Sequence, residues 1–162
     1  MGIIVSYSVV SDENIVKEVE ENMNTKISIE DIINQYSNKI ESFTTYVKTW
    51  DPLYFLLYQL SSNKHFLKLR EYHRSPETNE YTKVFSKEEV YELFKELQNI
   101  NLEALIISLD NEGFKKDIST EEGYNMELIF NIEGIFIEFN ELKNAVNKAY
   151  TLKSKLIQIL FP

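Results

Sequence analysis

Apolar residues alternate at the start of the chain. Ile3, Val5, Tyr7 and Val9 fall on one side of an extended segment, Ile4, Ser6, Ser8 and Val10 on the other. A period of two predicts a strand with one face well buried. The spacing then lengthens: Ile15, Val16, Val19 and Met23 recur at helical intervals behind Ser11, which can cap a helix from Asp12. After a break at Thr25-Lys26, Ser28 and Asp31 outline a capping box ahead of Ile29, Ile32, Ile33, Tyr36 and Ile40. The β-branched run Phe43-Thr44-Thr45-Tyr46-Val47 predicts a second strand.

That strand leads into Lys48-Thr49-Trp50-Asp51-Pro52-Leu53-Tyr54-Phe55-Leu56-Leu57-Tyr58-Gln59, which holds the only Trp. Asp followed by Pro is a helix-start signal, because the Asp oxygen accepts an orphan N–H and Pro supplies a helical φ where no donor is needed. The helix is expected to run to about Leu60. Ser61 to Phe85 is the least regular stretch; within it, His65 to Tyr72 fits a short strand or a short helix equally, and Ser75 to Glu80 is turn chemistry. Ser86 and Glu89 form the clearest capping box, opening a helix with Val90, Leu93, Phe94, Leu97 and Ile100 inward. Asn101 is placed to cap a short helix through Leu105 and Ile106, and Asp110 to Tyr124 reads as a loop. Met126 to Phe139 fits either a hairpin or the start of a long helix on the stripe Ile132, Ile135, Phe139, Leu142, Val146 and Ala149. Helix is favoured from Asn140 to Leu152, and Lys155 to Leu160 closes as a strand.

These elements, in this order, resemble the YfbM-like family, small bacterial proteins of uncharacterised function. The shared points are the Met1-Gly2 start opening into a strand, Lys48-x-Trp50-Asp51-x-Leu53 continuing into Leu56-Leu57, and the helix start Ser86-Lys87-Glu88-Glu89-Val90. A helix carrying Phe139 and Leu142 and a final apolar strand complete the set. The chain departs from the family where Tyr54 replaces a frequent His and Tyr58-Gln59 a frequent Thr-Gly, and it lacks a Tyr-Pro element around Ile118. Tyr54 cannot replace a histidine as a base near neutral pH. The resemblance implies a fold and no reaction. The expectation is one α+β domain over 1–162, a small mixed sheet with four or five helices packed mainly on one side.

Composition narrows the function more than it identifies it. A chain of 162 residues without Cys has no disulfide, thiol nucleophile or Cys-based metal site. No signal peptide or membrane-length apolar run is visible, so a cytoplasmic setting is expected. The formal charge is -9, concentrated in the first and last thirds. Such acidity opposes binding to nucleic acid or anionic membrane and suits a basic protein partner.

Candidate chemistry is sparse. Trp50, Asp51 and Tyr54 are placed to floor a ligand pocket, since aromatics supply contact area with a polar tip; equally, Trp50 packs in the core while Asp51 caps its helix. His65, Glu71, His73 and Glu77 offer ligand-type side chains, but the two His lack a compact zinc-binding spacing, and no metal or cofactor is expected. Lys64, Lys68, Arg70, His73 and Arg74, interleaved with Phe66 and Tyr72, are the one locally basic stretch, able to grip an anion or to pair with the chain's own acids. The carboxylate pairs at Glu20, Glu30, Glu88 and Glu121 sit where negative charge is solvated or favours a helix start. No catalytic residue is singled out. Two functions stay open: a non-enzymatic interaction module offering an acidic, Tyr-bearing surface to a basic partner, as immunity proteins do, or a small-ligand binder or enzyme with a cleft between the Trp50 helix and the His65–Arg74 segment, using Trp50, Asp51, Tyr54, His73 and Arg74.

Overall fold

The computed structural model describes residues 3–61, 64–101, 104, 107 and 131–161. Its centre is a ladder between β1 (Ile4–Val10) and β5 (Lys155–Phe161), antiparallel from Ile4↔Phe161 to Val10↔Lys155. β2 (Glu41–Thr45) flanks β1, and β4 (Tyr81–Phe85) with the two-residue β3 (His73–Arg74) flanks β5, giving the order β2-β1-β5-β4-β3. All four ladders are antiparallel rather than mixed. The reason lies in the connections. The chain leaves β1 at Val9 and returns opposite it at Glu41; it leaves β4 at Phe85 and returns opposite it at Leu156. Each helical excursion comes back to the end of the sheet it left, so the next strand runs the other way.

Helices cover both faces, most of them one face. Val5, Tyr7 and Val9 of β1 join Leu156, Leu160 and Phe85 in a core with α3 (Trp50–Leu60), α4 (Lys87–Asn99), α5 (Ile132–Thr151) and the 3₁₀ helix Lys64–Arg70. On the opposite face, Val10, Ile157 and Ile159 pack against α1 (Glu13–Asn22) and α2 (Ile29–Gln35). Phe66 and Leu69, three residues apart, are both fully buried. Three-residue spacing puts them on one side of a 3₁₀ turn, which settles that segment as helix. Ile135, Phe139, Leu142, Val146 and Ala149 are likewise buried along one helix, so the reading as helix holds from Ile132. The expected elements at Asn101–Ile106, Asp110–Tyr124 and Met126–Phe130 lie outside the described residues, apart from single positions.

Three helix starts show how local chemistry was read and where it was displaced. Ser86 and Glu89 make both halves of a capping box, at 3.2 and 2.9 Å. Asp12, not Ser11, caps α1, accepting from the Asn14 N–H at 3.0 Å; Ser11 instead bonds Ser154 across the core edge. Helix α3 begins two residues early, at Trp50 with Thr49 as cap, so Asp51 sits within its first turn. Pro52 still lies among the first residues, whose N–H groups have no helical acceptor to lose. β2 also ends two residues short of Val47, because Lys48 adopts a left-handed φ of 62°.

At α2, Ser28 accepts from the Asp31 N–H at 3.2 Å, but the reciprocal acid comes from far along the chain. Glu80, only 4% exposed, accepts from the Ser28 hydroxyl (2.6 Å) and from the backbone N–H groups of Ile29 (2.8 Å) and Glu30 (3.2 Å). A carboxylate at a helix N-terminus is favoured by both the dipole and the unpaired donors. Replacing it leaves those donors buried. Glu80→Ala is expected to cost about 2–3 kcal/mol, the range for losing hydrogen bonds to a charged group, and Ser28→Ala only about 1 kcal/mol. Urea unfolding of both variants checks the ranking.

Candidate functional site

The Trp50 region forms a small aromatic notch. Trp50, Tyr72 and Tyr81 line it with Ile3 and Leu160 around a volume of about 110 Å³. Tyr72 meets Trp50 edge-on (centroids 6.4 Å, 77°) and Tyr81 edge-on (5.3 Å, 82°), the arrangement that ring quadrupoles favour. The Trp50 indole N–H donates to the Ile3 carbonyl at 3.0 Å, which fixes the ring with 9% of its surface exposed. Asp51 pairs with Arg70 at 3.0 Å. Arg74 lies over the Tyr81 ring, 5.7 Å from its centroid. His73 is exposed and pairs with Thr82, and alternation along β3 sends it to the other face of the sheet from Arg74. The cleft anticipated between the Trp50 helix and the basic segment therefore brings together Trp50 and, at its margin, Arg74. Burial raises the Tyr72 phenol above its usual pKa, with the Asp51 charge adding to it.

Tyr54 lies beneath this notch with no solvent exposure. Its hydroxyl meets that of Tyr7 and accepts from the Gln158 amide at 2.7 Å. Register makes this possible: Tyr7 and Gln158 are directly opposite in the central ladder and point to the same face. Glu138 of α5, also without exposure, lies near this group and accepts from the Thr45 hydroxyl. Its other carboxyl oxygen, the Thr49 hydroxyl and the Gln158 carbonyl oxygen are buried without a hydrogen-bond partner among the described residues. Burial drives the Glu138 pKa from 4.5 up to about 7, against the lowering effect of the Thr45 hydroxyl and the nearby Thr49 backbone N–H. Burial likewise pushes Tyr7 and Tyr54 well above their ordinary value of 10.

Sequence reasoning passed over Glu138 and Gln158, although both carry a signal. Glu138 falls three residues after Ile135 and four before Leu142, on the inward stripe of its helix. Gln158 falls between Leu156 and Leu160 on the inward face of its strand. A polar residue at a core position is the informative exception in such patterns.

A second concavity lies on the other face, between α2 and the edge strand β2. It encloses about 180 Å³ and is lined by Ser6, Glu30, Asn34, Ser42, Thr44 and Tyr46, above an apolar floor. Ser6 and Thr44 share a hydrogen bond of 2.8 Å, and Ser8 and Ser42 one of 2.7 Å, so hydroxyls cross the β1–β2 ladder in rows. Tyr46 is 71% exposed at the rim. Burial raises the Glu30 pKa, and the charges of Glu80 and Asp31 raise it further. Among the described residues no cation pairs with Glu30, and no cluster of three or more His, Asp or Glu is placed to hold a metal ion. No helix among them is long and apolar enough to cross a membrane.

The raised Glu138 pKa has a definite sign in stability. Between pH 4.5 and about 7 the unfolded chain loses this proton while the folded chain keeps it. Folding stability therefore falls as pH rises through that window, and is flat on either side. Relative to Glu138→Gln, the wild type is expected to lose about 2.5 kcal/mol between pH 5 and pH 8. Denaturant titrations of both proteins at the two pH values measure it. Separately, Tyr54→Phe strands the Gln158 amide and the Tyr7 hydroxyl, and is expected to cost about 1–3 kcal/mol in the same assay.

Comparison with known proteins agrees with this architecture. No family model matches the chain, and no curated protein matches it by sequence. Among solved structures, YfbM from Escherichia coli, described as a protein of unknown function, superposes with a TM-score of 0.63 at 15% identity, covering 97% of this chain and 99% of that one. Similarity at that identity speaks for the fold alone. The Trp50 and Ser86 motifs fall on the elements where the resemblance put them, and the chain shares its fold with YfbM.

Proposed function

We propose that this protein is an interaction module that receives a basic protein partner on the face formed by α2 and β2. The observation that carries the reading is Glu30. Its half-buried carboxyl borders a hydroxyl-lined hollow, sits in the field of Glu80 and Asp31, and has no cation beside it among the described residues. An entering Lys or Arg relieves that like-charge repulsion and finds Ser and Thr oxygens to accept its hydrogen bonds. Tyr46 supplies an exposed ring at the rim, and Tyr is a residue type enriched at interface hot spots. The chain's charge of -9 steers a basic partner toward it over longer range. A non-catalytic role belongs to this reading, because Tyr7, Tyr54 and Glu138, whose pKa values burial raises, are closed off from solvent; a cytoplasmic setting is part of the same proposal.

The Trp50 notch favours a second and smaller role. At about 110 Å³ it falls below the roughly 300–1,000 Å³ of pockets for drug-sized ligands. It suits one side chain or a ligand of a few atoms, with Arg74 at its edge.

A lysine-rich peptide titrated into the protein at low salt tests the main reading. Binding is expected to perturb the Tyr46 and Ser42 resonances first. Glu30→Gln and Tyr46→Ala are each expected to weaken it about fivefold to tenfold, close to 1 kcal/mol, whereas Glu133→Gln on α5 leaves it unchanged. Equal weakening by all three variants would reduce the interaction to bulk charge and sink the assignment.

A further inference from the structure

Helix α5 ends in a Schellman motif. The Lys153 N–H donates back to the Tyr150 carbonyl at 3.1 Å, and the Ser154 N–H to the Ala149 carbonyl at 2.8 Å. The residue at such a bend takes a left-handed φ, and glycine is its usual occupant because it has no Cβ to strain. Here the occupant is Lys153, at φ 51°. The helix dipole does not call for it, since Lys148 already places a cation in the last turn. Lys87 also stands against local preference, in the first turn of α4, where the dipole disfavours a cation. Both lysines border one hollow between α4 and α5. We propose that this hollow binds a small aromatic acid, a free molecule whose ring lies between the two helices and whose carboxylate pairs with Lys153 and Lys87.

The hollow encloses about 270 Å³, more than the roughly 150 Å³ of an apolar cavity that accepts benzene. Val90 and Ala149, both buried, form its floor, and Tyr91 and Tyr150 its walls. The two tyrosines are 45% and 40% exposed, so they present apolar surface for a guest ring to cover. Phe94 stacks on Tyr150 with centroids 3.9 Å apart at 12°, and Tyr91 lies 5.9 Å from Tyr150 at 26°. Tyr150 is thus oriented before a guest arrives, which limits the ordering cost of binding. Charge selects the other end of the guest. Lys153 is exposed and pairs with no acid among the described residues. Lys87 meets Glu13 at 3.7 Å, but Glu13 is also held by Lys155 at 3.0 Å. A guest carboxylate therefore takes Lys87 without stranding Glu13. In a chain of charge -9, two ammonium groups beside an aromatic hollow favour an anion locally against the field of the whole molecule. The site is independent of the α2–β2 face.

Benzoate, its uncharged near-isostere benzamide, and acetate are the probes, titrated into the whole protein and followed by the amide resonances of Val90, Tyr150 and Lys153. Benzoate is expected to saturate these shifts and to bind about fivefold to tenfold more tightly than benzamide, the worth of one or two exposed ion pairs. Acetate, lacking the ring, is expected to give no saturable shift. Lys153→Gly is expected to weaken benzoate about fivefold and to leave benzamide unchanged, with a thermal midpoint at or above that of the wild type because glycine relieves the bend. Tyr91→Ala is expected to weaken benzoate and benzamide together. Equal affinity of the wild type for benzoate and benzamide would leave only an apolar crevice and overturn the proposal. Acetate binding as tightly as benzoate, or benzoate giving no saturable shift, would overturn it as well. So would a Lys153→Gly protein that keeps wild-type benzoate affinity, or one that loses benzoate and benzamide in equal proportion.

Discussion

The ladder between β1 and β5 pairs a strand near one end of the sequence with a strand near the other, and both strands are interior to the sheet. Helices lie on both faces, so each of these strands must be apolar on two sides at once. That constraint explains why Ile157 and Ile159 alternate with Leu156 and Leu160, and why Val5, Tyr7 and Val9 face one core while Val10 faces the other. It also explains the placement of the polar exceptions. A hydroxyl or amide in a two-sided core has to find its partner within the core. Ser6 and Ser8 find theirs on the neighbouring strand; Tyr7 and Gln158 converge on Tyr54.

The buried polar groups of the larger core add side-chain contacts between strands already joined by backbone ladders and helices joined to them by apolar packing. Tyr7 comes from β1, Gln158 from β5, Tyr54 from α3, Thr45 from β2 and Glu138 from α5. Apolar contacts tolerate small slips in register, whereas the buried bonds of the two sets, Tyr7–Tyr54–Gln158 and Thr45–Glu138, do not. Incomplete satisfaction gives Glu138 a different character from the cap at Glu80. Glu80 has a donor at each of several positions and is held in place by them. Glu138 has an oxygen to spare and serves as a group whose state depends on its surroundings.

Much of this arrangement is legible in the residues themselves. The alternation at Ile3–Val10, the capping box at Ser86 and Glu89 and the stripe from Ile132 to Ala149 are local signals, and each appears where its period places it. β4 went unread because Tyr81-Thr82-Lys83-Val84-Phe85 follows a turn-rich stretch and carries Lys83, whose ammonium reaches Glu89 at 3.6 Å and lies over the Phe85 ring. A lysine that folds back to a partner reads, one-dimensionally, as a solvated one. Glu80 was equally silent, because its donors are some fifty residues earlier. For the candidate site, Trp50 and Arg74 were legible as residue types, but the separation of His73 from Arg74 depends on the two lying in a strand, which the sequence reading did not assign there. Tyr72 and Tyr81 joined Trp50 only through the fold.

Pairing residues near positions 4 and 161 also sets an order of events during synthesis. Until β5 has been made, β1 has one of its two neighbours at most, and β4 lacks the strand that joins it to the rest of the sheet. At the roughly 5–20 residues added per second in translation, β1 waits on the order of ten seconds with an apolar edge open. Ser6, Ser8 and the hydroxyl-rich β2 sit on that waiting surface. The same hydroxyls that line a hollow in the finished molecule thus keep an early, half-built sheet wettable on one face while its last strand is still on the ribosome.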